Sequence, residues 1–494
     1  MPRHPFRRAG RLAGVTAALA LALPALALPL GSASASSGAQ AAPDPASPLV
    51  LWAPQKVVTY SYGGEVWSDL GLRVIAQGAP FELWSTRPSY DQPIQTVWRS
   101  AGGDVALPAG VMKDFSGMAK FLKVEMRKVG SDQVRTSRRT ACLNTWSERV
   151  RPDAPATSAY PRSCYYNPYT LGSVQGVEEG WAAPLVSVDR PLHLAPGRYA
   201  VTATITKAYA RTFGLAPSDA TRKFRLVVKK EGGESDYRPT GHASSVARPA
   251  AHEPTSASGG HRAPGSPVPD LRSLPAWGIQ VSNSGRFLQF SATVWNGGDS
   301  PLVVDGFRRE DEDEMDAYQY FFDGDGNQTG YQQVGHMHWD ARTTHQHWHF
   351  EDFARYSLLR ADKTEAVRSK KEAFCLANTD AVDQTVPNAN WNPENTDLST
   401  SCGDYGSLSI REVLASGWGD TYGQFRAGQS FNLDGLPNGK YYIAVIANPE
   451  NRLVEGSTAN NVSLRKVILG GKPGARTVRV PQVGVIEEPV YDGK

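Results

Sequence analysis

Cysteine is scarce in this 494-residue chain, which has four. They fall into two local pairs, Cys142 with Cys164 and Cys375 with Cys402. Neither pair has C-x-x-C spacing, so a zinc ribbon or a dithiol redox motif is set aside. An even count in separate neighbourhoods of an exported chain predicts one disulfide in each of two domains. A surplus of charge is missing too. Against 52 Lys and Arg stand 49 Asp and Glu, a net charge of +3, too little for a chain of this length to hold nucleic acid. After the first thirty residues no apolar run is long enough to span a bilayer. Long amphipathic helical periodicity is absent over 49–230, which turns the fold class away from helix bundles.

What is present begins with an address. Arg3, Arg7, Arg8 and Arg11 precede an apolar run over 12–30 broken by Pro24 and Pro29, and Ala33-Ser34-Ala35 follows as a small-residue cleavage pattern. Residues 1–35 therefore read as a secretory signal peptide and predict a secreted, extracellular protein with no membrane segment after cleavage. The prolines and the cleavage site weigh against a retained anchor. Arg7-Arg8 leaves the export route open between general and twin-arginine secretion.

Residues 49–230 carry short β-branched and aromatic runs at 57–62, 72–76, 81–84, 121–129, 199–213 and 224–228, with Gly, Pro and Asp between them. Such spacing predicts an all-β domain, a β-sandwich. His193 is its only histidine, so the expectation is a binding or stabilising module. Tyr160, Tyr165, Tyr166 and Tyr169 surround Cys164, as a recognition patch or as a stapled loop packed with aromatics. Residues 231–268 are dominated by Ser, Gly, Ala, Pro and His and read as a flexible linker. A second β-sandwich is expected over 269–470, with strands at 287–295 and 441–447, and a tail over 471–494 without a chemical motif. The approach Leu436-Pro437-Asn438-Gly439-Lys440-Tyr441 echoes Leu194-Ala195-Pro196-Gly197-Arg198-Tyr199, a shared Greek-key architecture and not a repeat. Asp323-Gly324-Asp325-Gly326-Asn327 opens like a calcium loop. It lacks the EF-hand glycine and glutamate, having Gln328 and Val334 there, and reads as a β-turn.

Five of the 10 histidines lie between His336 and His349. His345, His347 and His349 alternate with Gln346 and Trp348, so on a strand they share one face. Imidazole is the commonest nitrogen ligand of copper, zinc and iron. A flat strand separates the outer two Cα atoms by roughly 13 Å at about 3.3 Å per residue. One ion can be shared only if the chain bends or bulges there.

His345-Gln346-His347-Trp348-His349, followed by Glu351-Asp352-Phe353 and Tyr356-Ser357-Leu358-Leu359, resembles the copper-binding segment of the lysyl oxidase family, with the two acidic residues swapped. Lys371-Glu372-Ala373-Phe374-Cys375-Leu376, Asp420-Thr421-Tyr422-Gly423, Asn448-Pro449, Glu455, Asn460-Asn461 and Pro269-Asp270-Leu271 resemble further motifs of that family in the same order. The likeness covers roughly 200 residues and does not reach 49–230. It implies that His345, His347 and His349 bind copper. Lys371 and Tyr422 would supply the two halves of lysine tyrosylquinone, a cofactor made from the protein's own side chains. Asp270, the Leu271 carbonyl, Glu455, Asn460 and Asn461 would line a calcium site, weakened where the family has a second aspartate and this chain has Ser457. Thr344 stands where the family usually has a cysteine, the segment from Lys371 to Tyr422 carries an insert around 388–397, and Lys370 competes with Lys371 by position.

The implied activity is a secreted copper-dependent amine oxidase. Primary amines, including peptidyl lysine, become aldehydes with release of ammonia and H₂O₂, and O₂ is the oxidant. A quinone carbonyl condenses with a primary amine and acidifies the adjacent carbon, and a general base removes the proton. No side chain is singled out as that base; Asp420 and Asp352 are near proposed site residues in sequence. Two other classes stay open. One is a cupin-like metalloenzyme using His345-x-His347-x-x-x-Glu351; the other is a non-catalytic secreted module that binds copper or a polymer.

Overall fold

The structure, a computed structural model, describes residues 47–188, 190–230, 262, 265–309, 313–342, 346–371, 373–394, 396–426 and 428–489. The signal peptide expected over 1–35 lies outside the described residues, and so does the linker expected over 231–268 apart from 262 and 265–268.

The fold is all-β. Its helices among the described residues are two short ones, Lys207–Thr212 and Pro217–Ala220. Side-chain alternation accounts for the strands: in Phe81–Thr86, Phe81, Leu83 and Ser85 turn inward while Glu82, Trp84 and Thr86 stay half-exposed. The run read at 199–213 is divided. The strand Gly197–Ile205 ends where the β-branched residues stop, and Lys-Ala-Tyr-Ala-Arg takes over as a helix. No helix among the described residues is long and apolar enough to cross a membrane.

In the first half, a five-stranded sheet runs in the order Lys56–Ser61, Thr221–Lys230, Gly197–Ile205, Met118–Lys128, Val134–Ala141. Two four-stranded sheets accompany it, one of them built on Phe81–Thr86. Leu83, Phe121, Leu226 and their neighbours form its core. Cys142 and Cys164 are joined, with Cα atoms 6.0 Å apart.

Among the described residues the second half holds three sheets. A six-stranded one runs Ala373–Phe374, His347–Glu351, Gln328–Asp340, Glu314–Phe322, Leu302–Arg308, Ser409–Leu414. A second is built around Phe287–Asn296, which pairs with Leu271–Ser273 and Trp418–Tyr422. A third runs Glu365–Arg368, Ala354–Leu359, Gly439–Ala447, Val462–Lys472, Ala475–Arg479. Phe290, Trp348, Phe350, Tyr356, Phe374 and Ile443 are fully buried between them. The Asp323 turn closes the hairpin of Glu314–Phe322 with Gln328–Asp340, and its carboxylate accepts from the Asp325 and Asn327 amides at 3.0 and 2.8 Å.

The echoed approaches build the same device twice. Gly197 and Gly439 take φ of 152° and 151°, a region open to glycine. The tyrosine two residues on folds its hydroxyl back to donate to a backbone carbonyl. Tyr199 reaches Ala195 at 2.6 Å and Tyr441 reaches Pro437 at 2.8 Å. These are tyrosine corners, which pin a Greek-key crossing.

The halves meet along residues 165–174. The Leu171 amide donates to Val382 (2.7 Å), the Thr170 hydroxyl to Ala381 (2.9 Å) and the Val174 amide to the Gln384 side chain (3.0 Å). Tyr169, Leu274, Trp277, Trp295, Val382 and Ile486 form a common apolar cluster, and the Tyr169 hydroxyl donates to Glu488 at 2.8 Å.

Candidate active site

The strand His347–Glu351 lies antiparallel to Gln328–Asp340, with His349 opposite His338 and His347 opposite Asp340. Trp348 and Phe350 face the core, so His347, His349 and Glu351 share the other face. Gln346, just before this strand, takes φ of +49°, a left-handed conformation. The Nε2 atoms of His347 and His349 stand 3.0 Å apart. Burial first, then the Lys371 and His347 charges, lower His349 to about 3, so it is a neutral donor across the physiological range. His349 Nδ1 lies 3.5 Å from Asp340 Oδ2, and Asp340 also holds the Arg342 guanidinium. His345 lies outside the described residues. Among the described residues, no third His, Cys, Asp or Glu completes a metal-binding group. Glu351 is engaged by His338 at 2.9 Å. Two imidazole nitrogens 3.0 Å apart, that of His349 kept neutral by burial, are donors of the kind copper takes.

Lys370 and Lys371 part ways in burial: Lys370 is exposed and Lys371 is 6% exposed. Lys371 Nζ stands 4.5 Å from the centre of the Tyr422 ring and 5.1 Å from that of Phe374. Desolvation lowers the amine to about 8, opposed by the Asp420 charge. Tyr422 ends the strand Trp418–Tyr422 and is held from three sides. Its hydroxyl donates to the Cys375 carbonyl and accepts from the Cys375 amide, both at 3.0 Å. Phe374 packs edge-on against its ring with centroids 5.0 Å apart, a geometry worth about 0.5–1.5 kcal/mol beyond area burial. Cys375 is itself tied to Cys402. Burial, then Asp420 and Glu412, push the phenol well above its ordinary value. An amine in van der Waals reach of a fixed phenol ring suits a cofactor assembled from both.

Two buried carboxyls surround this pair. Asp420, on the same strand as Tyr422 and two residues before it, has an oxygen shielded from solvent without a hydrogen-bond partner. Glu412 accepts from the Leu376 amide at 2.9 Å. Desolvation raises both well above the carboxylate range. Sequence reasoning missed Glu412. The only signal was a charged residue inside the apolar strand Ser409–Leu414, where Arg411 is matched by Asp305 at 2.7 Å. Asp352 sits elsewhere, paired with Arg452 at 3.1 Å, and takes φ of +59° where the chain leaves one sheet for the next.

The five residues of the expected calcium site are brought together. Glu455 accepts from the Leu271 amide (2.9 Å), Asn448 (2.6 Å) and Asn461 (2.8 Å), and Asp270 accepts from Asn460 (2.9 Å) and Arg272 (2.7 Å). Oδ1 of Asp270, of Asn460 and of Asn461 are all buried without a hydrogen-bond partner. Burial raises the Glu455 carboxyl. Orphaned oxygens around a desolvated carboxylate suit a hard cation.

Residues 323–475 match the family model for lysyl oxidase. No curated protein sequence matches the chain.

Proposed function

We propose, from the premise that residues 323–475 are a lysyl oxidase domain, that the protein is a secreted copper-dependent amine oxidase acting on primary amines, peptidyl lysine among them. The observation that carries this reading is the buried Lys371 amine 4.5 Å from the Tyr422 ring, inside the matched segment. His347 and His349, with His345, are the residues that would hold copper. Bound there, copper would supply oxidising chemistry with O₂, and a cofactor built from Lys371 and Tyr422 would supply an electrophilic carbonyl for amine oxidation.

The chain's own residues prepare that chemistry. Cys375 fixes the Tyr422 oxygen through two backbone hydrogen bonds, so the ring does not rotate away from the amine. Burial raises the neutral share of Lys371 at pH 7 to roughly a tenth, far above that of a solvated lysine, and the neutral amine is the form able to add to an electrophile. Asp420 is the group proposed to accept the substrate's proton. Its shielded, unpartnered oxygen makes it a stronger base than a solvated carboxylate. Asp270, Leu271, Glu455, Asn460 and Asn461 would hold calcium and tie the first strand of this half to the 455–461 loop.

The test is H₂O₂ release from a primary amine by copper-loaded protein. Lys371→Arg and Tyr422→Phe are each expected to fall to background while remaining folded. Wild-type turnover in either variant contradicts the proposal. Glu351→Ala separates the cupin-like alternative, because copper content is expected to persist in it.

A further inference from the structure

We propose that the protein carries a second site, a cleft that binds a neutral oligosaccharide. The cleft has a volume of about 850 Å³ and lies where the 146–162 and 181 segments of the first half face the 388–396 insert of the second. Its size is within the roughly 300–1,000 Å³ of small-ligand sites. Neither the histidine cluster nor the Lys371–Tyr422 pair lines it.

Its chemistry selects the ligand class. Trp146, Tyr160, Trp181 and Trp391 supply aromatic surface, and Trp146 is 68% exposed. Tyr160 and Trp391 stack nearly parallel, 10° apart with centroids at 5.9 Å, so a ring from each half joins the two walls of the cleft. Asn388, Asn390 and Asn392 add amides, which both donate and accept. Among the described lining residues the only charges are Arg162 and Glu394, one of each sign. Arg162 lies 4.8 Å over the Trp146 ring, and Glu394 accepts from the Tyr165 hydroxyl at 2.5 Å. A polyanion or polycation finds no matching field there.

Polyproline, the other ligand of aromatic grooves, offers carbonyl acceptors and needs ring N–H and O–H donors at the rim. Here the ring donors of Trp181, Trp391 and Tyr160 are already engaged. Trp181 Nε1 donates to Pro155, Trp391 Nε1 to Gln384 and the Tyr160 hydroxyl to Glu82, each at 2.9 Å. The rings therefore present apolar carbon to the cleft, suited to the C–H faces of a pyranose. The amides face hydroxyls, which are donors and acceptors like themselves. Asn392 Oδ1 is shielded and without a partner, so a sugar hydroxyl satisfies it once the side chain turns toward the cleft. The cleft is also tied to the amine site. Trp418, at the start of the strand that carries Tyr422, donates to the Asn390 carbonyl at 2.6 Å.

The experiment is a tryptophan-fluorescence titration of the full chain with cellohexaose, chitohexaose, maltohexaose and mannohexaose, at low salt and at about 0.5 M NaCl, where fields are screened within a few ångströms. Saturable binding of at least one sugar is expected, within twofold at both salt concentrations. Trp146→Ala and Asn392→Ala are each expected to weaken it at least about tenfold, with unchanged melting and unchanged oxidation of a small amine. The proposal is overturned if no sugar binds the wild type, or if both variants bind within twofold of it. It is equally overturned if a proline-rich or lysine-rich peptide, and no sugar, binds in a Trp146-dependent way. Binding is read without turnover, so its failure leaves the oxidase reading untouched.

Discussion

At the scale of the residue, Lys371 is defined by burial. Its neighbour Lys370 is solvated, while Lys371 is enclosed beside Phe374, Tyr422 and the buried Asp420 carboxyl. Taking an ammonium out of water favours its neutral form, so the lowered value means loss of the proton near pH 8, where a free lysine holds it to above 10. Coupling to the Tyr422 ring requires the neutral amine. The rate of cofactor formation is therefore expected to rise with pH through a midpoint near 8, followed by mass spectrometry of air-exposed, copper-loaded samples. A midpoint near that of free lysine would show the amine to be solvated. Asp420→Asn is expected to leave the covalent link intact and to cut amine turnover by at least about a hundredfold, the usual scale of a lost general base. The motif Asp420-Thr421-Tyr422 was legible in the sequence. The isolation of the Asp420 oxygen and the presence of Glu412 were not, because burial of a charged strand residue depends on which sheets close over it.

At the scale of the element, the residues to which the proposal assigns the chemistry lie on or beside two strands, each set by a local device. The histidine strand follows a left-handed Gln346, and alternation then puts His347 and His349 on one face. The alternation was readable; the left-handed Gln346 was not, since glutamine carries no signature of positive φ. The run after the histidines was legible as buried strand, yet it is two strands in two sheets, parted at Asp352. The Leu-Pro-Asn-Gly-Lys-Tyr echo announced a shared architecture, and its physical content is the hydroxyl that returns to the chain. Tyr441→Phe removes one buried hydrogen bond and is expected to cost about 1 kcal/mol, read as a lower urea midpoint at unchanged slope. An unchanged midpoint would mean that the corner is decorative.

At the scale of the whole molecule, the second half is closed by residues far apart in sequence. Leu271 and Asp270 are joined to Glu455 and Asn460. If calcium occupies the orphaned oxygens there, it binds the folded chain alone and raises stability by about 2.7 kcal/mol at a hundredfold excess over Kd. Calcium is expected to raise Tm in the wild type and to leave Tm unmoved in Asp270→Asn; an unmoved wild type contradicts the site. The all-β class and the Cys142–Cys164 and Cys375–Cys402 pairings were legible from composition and spacing. The meeting of the halves along 165–174 was not, because Tyr165 and Tyr169 look the same in a stapled loop as in an interface.

The pairing of Lys371 with Tyr422 is tested most directly by peptide mapping of copper-loaded, air-exposed protein, with its visible spectrum recorded before and after phenylhydrazine. A covalent peptide joining the two residues is expected, together with an absorption band that shifts with the reagent. Fully copper-loaded protein that yields Lys371 and Tyr422 in separate, unmodified peptides, with no band, would contradict it.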